Sequence, residues 1–163
     1  MRYVISLLGI GLSLWLGWIS PAIASIHAYP EGGDRTMYRS LQTLRDNADQ
    51  AWQVVVFRRI QQGRTESVHL RLVGFPDTAA FNHVDPLYIL ASDRTILAPD
   101  ALPEPSPFPA NVGEYDVLEF ASKLQSNAPL QLILPTQEKA TQLIIPPFVV
   151  KEWRQLIASD FDK

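Results

Sequence analysis

The chain has no cysteine, which removes disulfides, thiolate metal sites, iron–sulfur clusters, cysteine nucleophiles and a lipid anchor on an N-terminal cysteine. It also lacks G-x-S-x-G, H-E-x-x-H and any phosphate-cradling glycine loop, so no motif dictates a hydrolytic or nucleotide-dependent reaction. Basic charge is in short supply: 14 Lys and Arg stand against 17 Asp and Glu, a net charge of −3. Nucleic acid as a partner wants a dominant basic field, and that field is missing. Missing too is an apolar run of spanning length, because the stretch 4–19 falls short of the roughly 20 residues that cross a bilayer.

That stretch nevertheless carries a signal. Arg2 supplies a basic start, residues 4–19 hold no charge, and Ser20-Pro21-Ala22-Ile23-Ala24 offers a small-x-small cleavage site. These are the three parts of a secretory signal peptide, with Pro21 stopping the apolar helix from growing longer. Residues 1–24 are therefore read as a signal peptide cleaved after Ala24, and 25–163 as one globular domain. The alternative is an uncleaved leader, the one route by which the chain itself would meet a membrane. No arginine pair precedes the apolar run, which points to ordinary secretion.

Within the exported part, residues 52–60 (WQVVVFRRI) and 65–75 (TESVHLRLVGF) are rich in β-branched and aromatic residues on either side of Gln-Gln-Gly-Arg. A β-hairpin turning on Gln62-Gly63 is expected, pairing Arg59 with Glu66, Phe57 with Val68 and Val55 with Leu70. Alternation then places Trp52, Val54, Val56 and Arg58 on one face with Arg71, His69 and Ser67. Residues 37–46 fit a helix through Met37, Leu41 and Leu44 as well as a strand, and the strand is preferred because Asp46-Asn47-Ala48-Asp49 then turns into the next one. Shorter strands are expected at 87–91 and 95–98, around Ser92-Asp93-Arg94, and at 130–134 and 140–145, before Pro146-Pro147 ends the pairing. Residues 114–125 read as a helix started by Glu114, Asp116 and Glu119. Residues 99–109 hold five prolines and form an extended loop. An amphipathic helix over 149–158 would seal itself to the sheet through Trp153. The fold class is α+β: mainly antiparallel sheet, with a half-closed barrel as one way to close it, one middle helix and a C-terminal helix.

The stretches LRLVGFP (70–76), NHVDPLYI (82–89), NVGEYD (111–116) and IIPPFVVKEW (144–153) together resemble a family of small exported cyanobacterial proteins of unknown function. The resemblance implies delivery to the periplasm or the thylakoid lumen and a connection with photosynthetic membranes. It implies no active-site residue. The family pattern often has glycine after the Phe-Pro pair, where this chain has Asp77.

Candidate chemistry is sparse. Cleavage after Ala24 would expose Ser25-Ile26-His27, whose amine, backbone amides and imidazole can encircle Cu(II); Ser25 and His27 are the candidate metal ligands, and Cu(II) the one candidate cofactor. His83 and Asp85, with His69 beside them, would make a loose ligand or acid–base set, against the plainer reading of Asp85 and Asn82 as turn-forming residues. A hydrolase using Asp85 or Glu114 is the third reading. The strongest surface signal is basic: Arg58, Arg59, Arg64, His69 and Arg71, joined by Trp52, gather in one hairpin of an acidic chain. A partner with an acidic surface would suit it. The reading that follows is a non-enzymatic exported accessory protein that docks on a membrane protein complex, with a small-ligand or Cu(II) carrier as the alternative.

Overall fold

The computed structural model describes residues 26–103 and 106–159. Residues 1–24, read above as a signal peptide, and Ser25 lie outside the described residues. Among the described residues, nine strands form two antiparallel sheets. Sheet A has the order β1(His27–Gly32), β2(Arg35–Arg45), β3(Ala51–Gln61), β4(Arg64–Val73), β7(Val112–Asp116). Sheet B has the order β6(Thr95–Ala98), β5(Leu87–Leu90), β8(Leu130–Leu134), β9(Thr141–Ile145). Two short links stitch the sheets, single bridges from Asp46 to Leu143 and from Asp100 to Tyr115.

The connection from β2 to β3 shows how a polar cluster makes a turn. Asp46 accepts the backbone N–H groups of Ala48 and Gln50 on Oδ1 and the indole N–H of Trp52 on Oδ2, at 2.8–2.9 Å. Burial alone would raise the Asp46 carboxyl, yet these three donors hold it below its ordinary value. Asp46→Ala should therefore cost about 1–2 kcal/mol, because three donors lose one acceptor group; a urea titration reads this directly.

The β3–β4 turn falls at Gln62-Gly63, as expected. Both residues have positive φ, 50° and 70°, the geometry that matches the twist of the flanking strands. The register beyond the turn differs from the expectation. Ile60 pairs with Thr65 but Arg59 pairs with Ser67, so Glu66 is an extra residue in a β-bulge. Every later pair is displaced by one: Phe57 faces His69, Val56 faces Leu70 and Val55 faces Arg71. A one-residue shift exchanges the two faces of a strand. Trp52, Val54 and Val56 consequently join Val68, Leu70 and Leu72 in the core, and the basic residues of β4 point the other way with Phe57.

The middle of the chain is corrected as well. Glu114 and Asp116 do not start a helix; they belong to β7, which pairs with β4 from Val73↔Val112 to His69↔Asp116. Only α1(Leu118–Lys123) is helical there. Gly113, in mid-strand, has the Phe81 ring so close that an added Cβ would sit 2.9 Å from it, which explains a glycine in that strand. Asp77 has φ 61°, the left-handed backbone that glycine adopts without strain. β1 was not foreseen: its proline reads as a turn signal, but an edge strand tolerates proline.

The inward residues of both sheets fall in one buried cluster. α2(Pro147–Ala158) seals it with Val149, Val150, Trp153 and Leu156, each at most 1% exposed. Arg58, expected in the basic patch, instead lies on the inward side. Its guanidinium donates to the carbonyls of Leu156, Ile157 and Ser159 at 2.8–3.3 Å. A cation thus satisfies the orphan acceptors and the negative end of α2. Among the described residues, no helix is long and apolar enough to cross a membrane.

Candidate functional site

The outward face of sheet A is built from alternate residues in register. One row across the strands reads His27, Arg39, Phe57, His69, Asp116; the next reads Leu41, Val55, Arg71, Glu114; another reads Tyr29, Met37, Arg59, Ser67. The strands of sheet B, by contrast, contain no charged residue at all. Among the strands, charge is therefore confined to sheet A.

Glu114 anchors the face. Its side chain is only 7% exposed, and it accepts from Arg71 Nε at 2.7 Å, Arg71 Nη2 at 2.6 Å and lies 2.7 Å from His69 Nδ1. Burial pushes the Glu114 carboxyl upward, but the bonds from His69 and Arg71 and the arginine charge outweigh it and hold the group below its ordinary value. The carboxylate fixes both side chains in place. The Arg71 guanidinium is held between two phenyl rings, 5.3 Å from the centroid of Phe57 and 4.7 Å from that of Phe108. Arg59 lies over the same Phe57 ring at 4.9 Å, and the His69 ring stands 5.3 Å from it. Phe108 comes from the proline-rich loop, so that loop folds over the face rather than away from it. Arg39 stacks on Tyr29 at 4.3 Å and donates to its hydroxyl at 2.7 Å.

Of the six residues expected to bind a partner, Arg59, His69 and Arg71 do share this face. Trp52 and Arg58 do not: the first is 1% exposed in the core and the second caps α2. Arg64 stands exposed beside the turn, opposite Gln61. Phe57, Phe108 and Glu114 were missed as parts of this face. An apolar residue that follows three valines reads as core, and only the bulge at Glu66 would have revealed which way Phe57 points.

The other candidates separate. His83 pairs with Asp100 at 2.5 Å, not with Asp85, which accepts from Asn82 in a turn; His69 is committed to Glu114. Tyr115, beside Asp100, has a buried hydroxyl without a partner. Burial and then the Asp100 charge push that hydroxyl far up, keeping it neutral. His27 opens β1 opposite Arg39, while Ser25 lies outside the described residues. Among the described residues, no group of three or more His, Asp or Glu side chains converges on a metal-sized site.

No curated protein and no solved structure matches the chain. Residues 24–156 do match a family model described as "Protein of unknown function (DUF3122)". The match takes in both sheets, sheet A with its charged face among them, and nearly all of α2, and on that extent the chain belongs to the DUF3122 family.

Proposed function

We propose that the protein is a non-enzymatic exported accessory module that docks on an acidic surface of a membrane protein complex through the outward face of sheet A. The observation that carries this reading is the stack of Arg59, Phe57, Arg71 and Phe108. Arginine and aromatic side chains are the residue types that dominate binding energy at interfaces, and a guanidinium over an aromatic ring is already ordered before a partner arrives. In this reading the setting is the periplasm or the thylakoid lumen, and the complex a photosynthetic one. In this reading a half-closed barrel supports the face, and the single bridges at Asp46–Leu143 and Asp100–Tyr115 between the two sheets favour it.

The test uses charge reversals that spare the fold. Arg58 and Arg71 are unsuitable, because one caps α2 and the other neutralises Glu114. Arg59→Glu with Arg64→Glu alters outward positions; the first leaves Glu31 without its arginine, but that carboxylate keeps 27% exposure, and an unchanged melting temperature checks the fold. Retention on membranes of the source organism should fall at least about tenfold, and wild-type retention should fall with added salt. Retention that ignores both changes would refute docking through this face.

A further inference from the structure

Beside the arginine–phenylalanine stack lies an open groove of about 560 Å³, lined by Glu31, Arg35, Arg59, Glu66, Ser67 and His69. Its two arginines are each held by one carboxylate of the chain itself: Arg59 Nε lies 3.1 Å from Glu31, and Arg35 Nη2 lies 2.8 Å from Glu66. These pairs differ in kind from the one at Glu114. Their side chains are 27–38% exposed, against 7% for Glu114, and each carboxylate serves one arginine rather than an arginine and a histidine. Exposed pairs of that type hold weakly and exchange readily. In addition, the Arg35 Nε–H is buried with no acceptor, so this guanidinium has donor capacity to spare.

The two acids also sit where the chain can yield. Glu31 lies within the register break of β1, next to Gly32 and Gly33, both at positive φ. Glu66 is the extra residue of the β4 bulge. Neither carboxylate is part of a regular ladder.

We propose that Glu31 and Glu66 are placeholders. The groove takes an extended segment of the docking partner with acidic side chains at alternate positions, whose carboxylates displace Glu31 from Arg59 and Glu66 from Arg35. The spacing follows from the register. Met37 stands opposite Arg59 and Gln61 opposite Arg35, so the two arginines are diagonal neighbours across β2 and β3, about 7–8 Å apart. Alternate residues of an extended strand are separated by roughly 6.6–6.8 Å, which matches. Acids on one helix face or next to each other in sequence do not match an extended backbone lying along the groove. The Ser67 hydroxyl and the His69 ring, on the same wall, flank the incoming backbone. This inference rests on the docking reading and names the chemistry of the partner segment.

The test compares two labelled peptides of equal composition, one with Glu-Ser-Glu at its centre and one with Glu-Ser-Ser-Ser-Glu, by fluorescence anisotropy at low salt. The wild-type domain should bind the first at least about threefold more tightly. Glu31→Gln with Glu66→Gln should tighten that binding about threefold to tenfold, since two weak internal competitors are gone. Each single substitution should tighten it less. Arg35→Gln with Arg59→Gln should abolish it, with an unchanged melting temperature as the check of folding. Equal binding of both peptides, or no gain from the glutamine substitutions, overturns the placeholder role. The docking reading fails separately, through membrane retention that ignores Arg59→Glu and Arg64→Glu.

Discussion

Replacing Trp153 with alanine should cost about 3–5 kcal/mol of stability, the largest single loss expected in this chain. The indole is 1% exposed and lies with Val56, Val68, Leu70, Val117 and Phe120 around a void of only about 10 Å³. Little can move to fill the space it leaves, so the cost combines lost burial with a residual cavity. A urea titration should show a lower midpoint with an unchanged slope. Phe148, in the same helix but 61% exposed, supplies the control: Phe148→Ala should stay within about 0.5 kcal/mol of wild type. Equal losses at both positions would mean that α2 does not seat as described.

Glu114→Gln should cost about 2–3 kcal/mol near neutral pH. Removing one member of a buried ion pair strands its partners, and the cost is moderated because Arg71 is 32% exposed and keeps some water. The substitution also has a pH signature. The folded-state carboxyl of Glu114 titrates below its ordinary value of 4.5. Its contribution is therefore complete above that value and drains away as pH falls through the folded-state pKa. Wild type should lose its advantage over Glu114→Gln as the pH drops below about 4.5. A gap that stays constant from pH 7 to pH 3 would show that Glu114 is not held as an ion by His69 and Arg71.

Much of the architecture was legible because it is local. The Asp46 turn, the Gln62-Gly63 turn, the hairpin of β5 and β6, the pairing of β8 with β9 and the terminal helix all announce themselves through turn residues or periodicity. What was not legible depends on distant partners. The bulge at Glu66 is invisible to a two-residue repeat, and the pairing of Arg59 with Glu66 looked so reasonable that it hid the shift. That single extra residue decides whether Trp52 or Phe57 lies on the outer side of the sheet, where Phe57 is buried under Arg59, Arg71 and His69. Glu114 was misread for a related reason. A carboxylate after a glycine looks like a helix start, and only Arg71 and His69, more than forty positions away, make it tolerable in a strand. The basic character of the hairpin survived, but its aromatic partner changed from Trp52 to Phe57.

The most direct test of the docking account is a map of which face meets the partner. A photo-crosslinking residue placed at Val55, on the charged outward face of sheet A, is compared with one at the exposed Leu97 of sheet B, in intact membranes of the source organism. The account predicts a discrete adduct from position 55 that disappears with Arg59→Glu and Arg64→Glu, and none of that size from position 97. An adduct from position 97 alone would place the interface on the opposite side of the molecule and contradict it.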